Sequence, residues 1–282
     1  MELEFTKMHG CGNDYIYVDG FKYDILDKGE LSKRLSDRHF SVGGDGVIYV
    51  CPSDKADAFM RMFNADGSEG KMCGNGVRCV AKFVYDYKIS EKDKVKIETL
   101  SGIKTIELKI EDGKATGGTV DMGKAEFDPK KIPVNLPGKA VIAKEVNIGG
   151  REYKITCVSM GNPHCVIFVP EDFDLEGFDI EKEGRIIEKA PLFPEGVNTE
   201  FVKVIGPDTL LMRVWERGSG ETLACGTGAC ASVAAAVKNS LVCEGKPVTV
   251  KLLGGELSIV YTEDKILMTG NAVTAFHGTV LI

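Results

Sequence analysis

Apolar positions recur along this chain in two rhythms. Short runs of alternating or continuous apolar residues predict strands at Glu2–Met8, Tyr15–Val18, Val47–Cys51, Ala58–Phe63, Lys94–Leu100, Ile103–Ile110 and Thr116–Asp121. The second half repeats the order. Strands are predicted at Val141–Ile148, Tyr153–Val158, Cys165–Val169, Val197–Val204 and Leu210–Trp215, then three more up to Met268 and a last one over Ala272–Ile282. Helical spacing occurs at four places. Asp27 can cap a helix carrying Leu31 and Leu35 and ending near His39, and Val77, Val80, Ala81, Val84 and Tyr85 share one face in the run up to Tyr87. A third helix is expected between Leu175 and Lys189, and an alanine-rich fourth spans Ala229–Val237. The second and fourth are apolar enough to belong inside a domain.

The halves look like copies. Each leads a glycine-punctuated loop to a cysteine where a helix is about to start: Met72–Gly76 (MCGNG) and Ala224–Gly228 (ACGTG). Asn64 lies nine residues before Cys73 and Glu216 nine before Cys225, while Gly46 and Asn198 each lie 27 before. Gly12-Asn13 and Gly161-Asn162 match as turns, with Asn13 60 residues before its cysteine and Asn162 63 before the other. A period near 150 residues is too long for a solenoid and predicts two similar domains. We expect them at 1–122 and 123–270, with the last strand (271–282) a candidate to join the first and the proline-broken stretch Gly123–Pro137 as the join. The expected fold class is α+β: two pseudo-symmetric repeat domains, each a mixed β-sheet or barrel wrapped around a central α-helix.

Composition narrows the partners. Hydrophobic residues make up 43% of the 282 and charged residues 27%, as in a soluble globular protein. The net charge of −7 argues against nucleic acid or an anionic membrane as partner. No stretch approaches the roughly 20 apolar residues of a membrane span, and the N-terminal residues lack a signal-peptide pattern, so a cytoplasmic location is expected. Nine cysteines without an export signal do not form a disulfide framework, and no Cys-x-x-Cys or His-x-x-x-His pair supports a zinc site. Cys225 and Cys230 are no better placed for one. Gly118–Ala125 has the spacing of a phosphate-binding loop but alanine where serine or threonine must hold magnesium.

The two cysteine loops carry the chemistry. A thiol at a helix N-terminus meets unpaired backbone N–H groups and the positive end of the helix dipole, and both favour thiolate. If two such thiols face one carbon, one as thiolate and one protonated, the first removes a proton from one face and the second returns one to the other. The outcome is inversion: a racemase or an epimerase without a cofactor. Backbone N–H groups of Gly74, Asn75, Gly226 and Thr227 suit a carboxylate whose charge grows as the proton leaves. Two other readings stay open at this point. A lone cysteine before Gly-x-Gly is more often structural, and a pair brought together could serve redox or metal-binding chemistry.

Further motifs narrow the choice. Lys7–Tyr15 (KMHGCGNDY), Phe63–Glu69 (FNADGSE), Met72–Cys79 (MCGNGVRC), Gly161–His164 (GNPH), Glu216–Gly218 (ERG) and Ala224–Gly228 (ACGTG) together resemble diaminopimelate epimerase, in order and over essentially the whole chain. Cys-Gly-x-Gly alone would also fit proline racemase-like relatives. The resemblance implies interconversion of LL- and meso-2,6-diaminoheptanedioate, a step toward lysine and peptidoglycan precursors, with neither cofactor nor metal and with the site in the cleft between domains. It makes Cys73 and Cys225 the acid–base pair and Asn13, Asn64, Asn162, Asn198, Glu216 and Arg217 substrate contacts, with the backbone after each cysteine on the reacting carboxylate. Arg217 would grip the distant carboxylate and Glu216 an ammonium. His164 and Glu216 would tune the thiols, imidazole favouring thiolate and carboxylate opposing it. A homodimer is the expected assembly. The chain departs from the family at Gly46, where some members carry a glutamine that reaches substrate; Gly43–Gly46 reads instead as a turn.

Overall fold

The computed structural model describes all 282 residues. In chain order the elements are β1 (Glu2–Gly10), β2 (Asn13–Asp19), α1 (Lys28–Ser36), β3 (Gly46–Cys51), β4 (Ala58–Asn64), β5 (Glu69–Gly70), α2 (Gly74–Asp86), β6 (Lys94–Thr99), β7 (Gly102–Glu111) and β8 (Lys114–Gly123). There follow β9 (Lys144–Ile148), β10 (Arg151–Ser159), β11 (Pro163–Val169), α3 (Ile180–Glu188), β12 (Asn198–Gly206), β13 (Thr209–Glu216), β14 (Gly220–Glu221), α4 (Gly226–Lys238), β15 (Pro247–Leu252), β16 (Gly255–Tyr261), β17 (Ile266–Asn271) and β18 (Val273–Leu281). The chain divides into two units. Unit 1 is Met1–Asp121 with Thr269–Ile282, and unit 2 is Met122–Met268.

In unit 1, β1 lies antiparallel between β2 and β18, β2 runs parallel to β3, and β3 pairs antiparallel with β4. β4 continues to β5 and β6, and β6, β7 and β8 form an antiparallel meander. α2 is buried from Gly74 to Val84 and touches β1, β2, β3, β4, β6 and β7, so the sheet wraps around it. The amphipathic α1 covers an outer face, packing Leu31 and Leu35 on Ile16, Val47 and Phe63.

Unit 2 repeats the plan. β11 runs parallel to β12, β12 antiparallel to β13, and β13 continues to β14 and β15. The central α4 touches β10, β11, β12, β15 and β16. Its alanines let the strands approach closely, and Ala229 and Ala234 are fully buried. The stretch read as a join packs into unit 2, where Ile132 and Val134 belong to the core with Phe201 and Trp215.

The copying is closer than the cysteine offsets alone suggest. Adding 152 to the limits of α1 (28–36) and α2 (74–86) gives those of α3 (180–188) and α4 (226–238). Asp27 and Asp179 each cap a helix by accepting from the N–H three residues on. After α2 and α4, Lys88 and Ser240 both turn left-handed at φ 60°. Three expectations need adjusting. The third helix starts at Ile180, because Asp179 caps it and Gly177 bends the chain onto Asp174. β9 starts at Lys144, because Ala143 holds φ 48°, which no strand accommodates. The loops before the two cysteines contain the two-residue strands β5 and β14, too short to leave a periodic signal.

Candidate active site

Each cysteine is the N-cap of the central helix of its unit. Cys73 accepts from the Gly76 N–H with Sγ at 3.3 Å, and Cys225 accepts from the Gly228 N–H at the same 3.3 Å. Sulfur takes the place of the usual serine or aspartate oxygen and answers one of the unpaired N–H groups of the first turn. Gly76 and Gly228 both face the sheet closely, so that an added side chain would displace a neighbour. A Cβ on Gly76 would lie 2.9 Å from Ile48 Cδ1, and one on Gly228 2.7 Å from Glu200 Oε1.

In unit 1 the Cys73 thiol donates to Asn13 Oδ1 at 3.0 Å. The other end of that amide is fixed, since Asn13 Nδ2 donates to Asp45 Oδ2 at 2.7 Å. Asp45 and Asp14 are tied in turn by Arg38, and Lys7 reaches Asp14 at 2.6 Å. Behind the loop, the fully buried Arg78 donates to the Gly74 carbonyl at 3.2 Å, to Asn75 Oδ1 at 2.9 Å and to the Asn271 carbonyl at 3.1 Å. Those three partners are all neutral, and they hold the guanidinium against the start of α2. Asn64 uses its amide on the Ser68 hydroxyl at 3.0 Å.

In unit 2 a chain of polar groups, buried at Glu200 and His164 and half-buried at Asn162 and Thr227, leads to the loop. His164 lies with Nδ1 2.6 Å from Glu200 Oε1 and Nε2 3.0 Å from Asn162 Oδ1, and Asn162 Nδ2 donates to Thr227 Oγ1 at 3.3 Å. Thr227 Oγ1 is 3.5 Å from Cys225 Sγ. Burial pushes the Cys225 thiol well above its ordinary value, and the Glu216 and Glu200 carboxylates push the same way against the Thr227 hydroxyl and the Gly228 N–H. Burial likewise raises Glu216, although the Thr222 hydroxyl and the Cys225 thiol hold it down. Asn198 donates to the Pro163 carbonyl at 2.9 Å and accepts from the Arg217 N–H at 2.9 Å, while the Arg217 side chain rests on the Glu195 carbonyl at 2.8 Å.

Comparison with known proteins agrees with these motifs. The diaminopimelate epimerase family model matches residues 5–127 and 156–275. A diaminopimelate epimerase of Acetivibrio thermocellus is 52% identical over 99% of this chain and 98% of its own length. One of Methanococcus maripaludis is 51% identical over 99% of both. The chain belongs to the diaminopimelate epimerase family. Among solved structures, a probable proline racemase of Agrobacterium radiobacter superposes with a TM-score of 0.72 at 14% identity, covering 99% of this chain and 93% of the other. A hydroxyproline epimerase of Agrobacterium vitis gives 0.68 at 15% identity, covering 99% and 92%. These two share the fold.

Against the family pattern, the structure brings Asn13, Gly74 and Asn75 together around Cys73, and Asn162, His164, Gly226, Thr227 and Glu216 around Cys225. Asn64 ends β4 and Asn198 begins β12. Two points differ from the reading of the sequence, and a third, at Gly46, explains the departure read there. Burial and then the Glu216 and Glu200 carboxylates push the Cys225 thiol upward, against the hydrogen bonds it receives at the helix start. His164 is fully buried, and its ring nitrogens face Glu200 and Asn162 rather than a thiol. At Gly46 no side chain fits, since a Cβ would lie 2.1 Å from the Phe63 carbonyl oxygen, so this member of the epimerase family cannot present a glutamine there. Arg78 and Glu200 escape sequence reasoning. The signal for Glu200 is its place in the repeat, where residue 48 in the other copy is isoleucine.

Proposed function

We propose that this chain epimerises 2,6-diaminoheptanedioate between its LL and meso forms, with Cys73 and Cys225 as the two acid–base groups. The observation that carries the assignment is the repetition of one device: two cysteines 152 residues apart, each capping a buried helix with sulfur 3.3 Å from a backbone N–H. Inversion by two bases needs a thiolate on one face of the α-carbon and a thiol on the other, and each copy supplies one. N–H groups of Gly74, Asn75, Gly226 and Thr227 at the helix starts receive the reacting carboxylate and stabilise the charge that develops on it. Asn13, Asn64, Asn162 and Asn198 read the stereocentre with donors and acceptors that add no net charge. Glu216 takes an ammonium and Arg217 the distant carboxylate.

In this role the chain needs no cofactor, works in the cytoplasm and contributes to lysine and peptidoglycan precursor synthesis. No helix is long and apolar enough to cross a membrane. A homodimer is supported by β18, which exposes Val273, Phe276 and Leu281 along one strand. The test is direct. Purified protein, kept reduced, should convert either stereoisomer to the same equilibrium mixture, and absence of conversion from both would end the assignment.

A further inference from the structure

Unit 2 contains a buried carboxylate that the family pattern leaves without a role. Glu200 and His164 are both fully buried, and Glu200 Oε2 has no hydrogen-bond partner. Burying a carboxylate is costly unless it is paired, and the fold does not require one here. Register places Glu200 in unit 2 where unit 1 has Ile48: Gly46 pairs with Tyr15 two residues earlier on β3, as Asn198 pairs with His164 on β12. Both side chains lie against the equivalent glycine of the central helix.

The hydrogen bonds of His164 indicate what the carboxylate does. Asn162 Oδ1 can only accept, so Nε2 carries a hydrogen. One proton then lies between Nδ1 and Glu200 Oε1, and Nε2 keeps its hydrogen whichever of the two atoms holds that proton. Removing Glu200 frees the neutral ring to place its hydrogen on Nδ1 and turn Nε2 into an acceptor. The amide of Asn162 would then turn over. Thr227 does not prevent this, because a hydroxyl donates as readily as it accepts. The flip would replace an N–H₂ group with a carbonyl oxygen beside the Cys225 loop, where an incoming carboxylate needs donors.

We propose that Glu200 is a positioning residue for the reaction: through His164 it holds the Asn162 amide with its N–H₂ end toward the Cys225 loop. This rests on the reading of Asn162 and Cys225 as part of the site. The test is a double-mutant cycle in steady-state kinetics, with thermal melting to show folding. Glu200→Ile, the residue unit 1 uses, should lower kcat/KM about 10- to 100-fold, mainly through KM. Glu200→Gln should recover most of that loss, because its amide can donate to Nδ1 and keep the hydrogen on Nε2. In an Asn162→Ala background, Glu200→Ile should cost less than about threefold more. If Glu200→Ile does not fold, Glu200→Met takes its place in the cycle. The proposal is overturned if Gln is as damaging as the apolar residue, or if the losses multiply in the Asn162→Ala background. A wild-type kcat/KM for Asn162→Ala alone would instead remove Asn162 from the site, a separate failure of the underlying reading.

Discussion

The two cysteine loops share a backbone and differ in what surrounds it. Both thiols cap a buried thirteen-residue helix at the same distance from the same N–H. Around Cys73 the neighbours are an apolar Ile48 beneath Gly76 and the Asn13 amide oxygen at the sulfur. Around Cys225 they are Glu200 beneath Gly228 and Glu216 beside the sulfur. The matched asparagines also face opposite ways. Asn13 is anchored by Asp45 at its nitrogen and gives its oxygen to the Cys73 thiol, whereas Asn162 is anchored by His164 at its oxygen and gives its nitrogen to Thr227. Duplication provided two equal helix starts, and side chains on the surrounding strands made them unequal. Unequal surroundings suit an enzyme whose two bases work on opposite faces of one carbon.

The largest effect should come from removing either sulfur. Cys73→Ala and Cys225→Ala should each lower kcat by about 10³-fold or more, the scale of a positioned acid or base. Full turnover in either variant would remove that cysteine from the chemistry. A smaller and unequal effect is expected from the paired glycines. Gly228→Ala drives a methyl onto Glu200 Oε1 and close to the Cys225 sulfur, whereas Gly76→Ala meets the movable end of Ile48. Gly228→Ala should therefore cost about tenfold more activity than Gly76→Ala, on the order of one close polar contact; equal losses would mean the floor of the two loops does not matter.

Glu216→Gln tests the electrostatic half of the comparison. A carboxylate next to a thiol favours the protonated form, so its loss should move alkylation of Cys225 by iodoacetamide to lower pH, read by peptide mass spectrometry, and leave Cys73 where it was. The same change bears on stability. Glu216 holds its proton more tightly folded than unfolded, so the contribution is present below the ordinary carboxylate value of 4.5 and is lost as pH rises through the raised folded value. Glu216→Gln should then melt higher than the parent at neutral pH and show no such difference in acid. The smallest effects should be equal in the two units: Asp27→Ala and Asp179→Ala each remove a helix cap worth about 1 kcal/mol, measurable by chemical denaturation. A large inequality there would show that the shared frame is less alike than its geometry.

Much of this was legible from residues alone, for identifiable reasons. Leu31 with Leu35 and the apolar run after Cys73 repeat at helical spacing, and the spacing of Asn64 and Glu216 from their cysteines exposes the copying. β5 and β14 were not legible, because two residues carry no period. Ala143 delays the start of a predicted strand through a left-handed backbone that alanine does not advertise. Glu200 stayed hidden because an acid in an apolar strand reads as solvent-facing, and only the fold shows it beneath a helix start. The state of Cys225 was out of reach for a related reason: its burial and its carboxylate neighbours come from strands far away in the chain.

The central claim is that two thiols, one from each copy, act on opposite faces of one carbon. Hydrogen exchange in heavy water tests it most directly, with LL-substrate and product analysed at low conversion. Two bases of which one abstracts and the other donates predict deuterium at the inverted carbon of the meso product and almost none in the recovered LL-substrate. Deuterium entering recovered substrate as fast as product would point to a single base serving both faces, and product free of deuterium would contradict donation by a second, solvent-exchanged thiol.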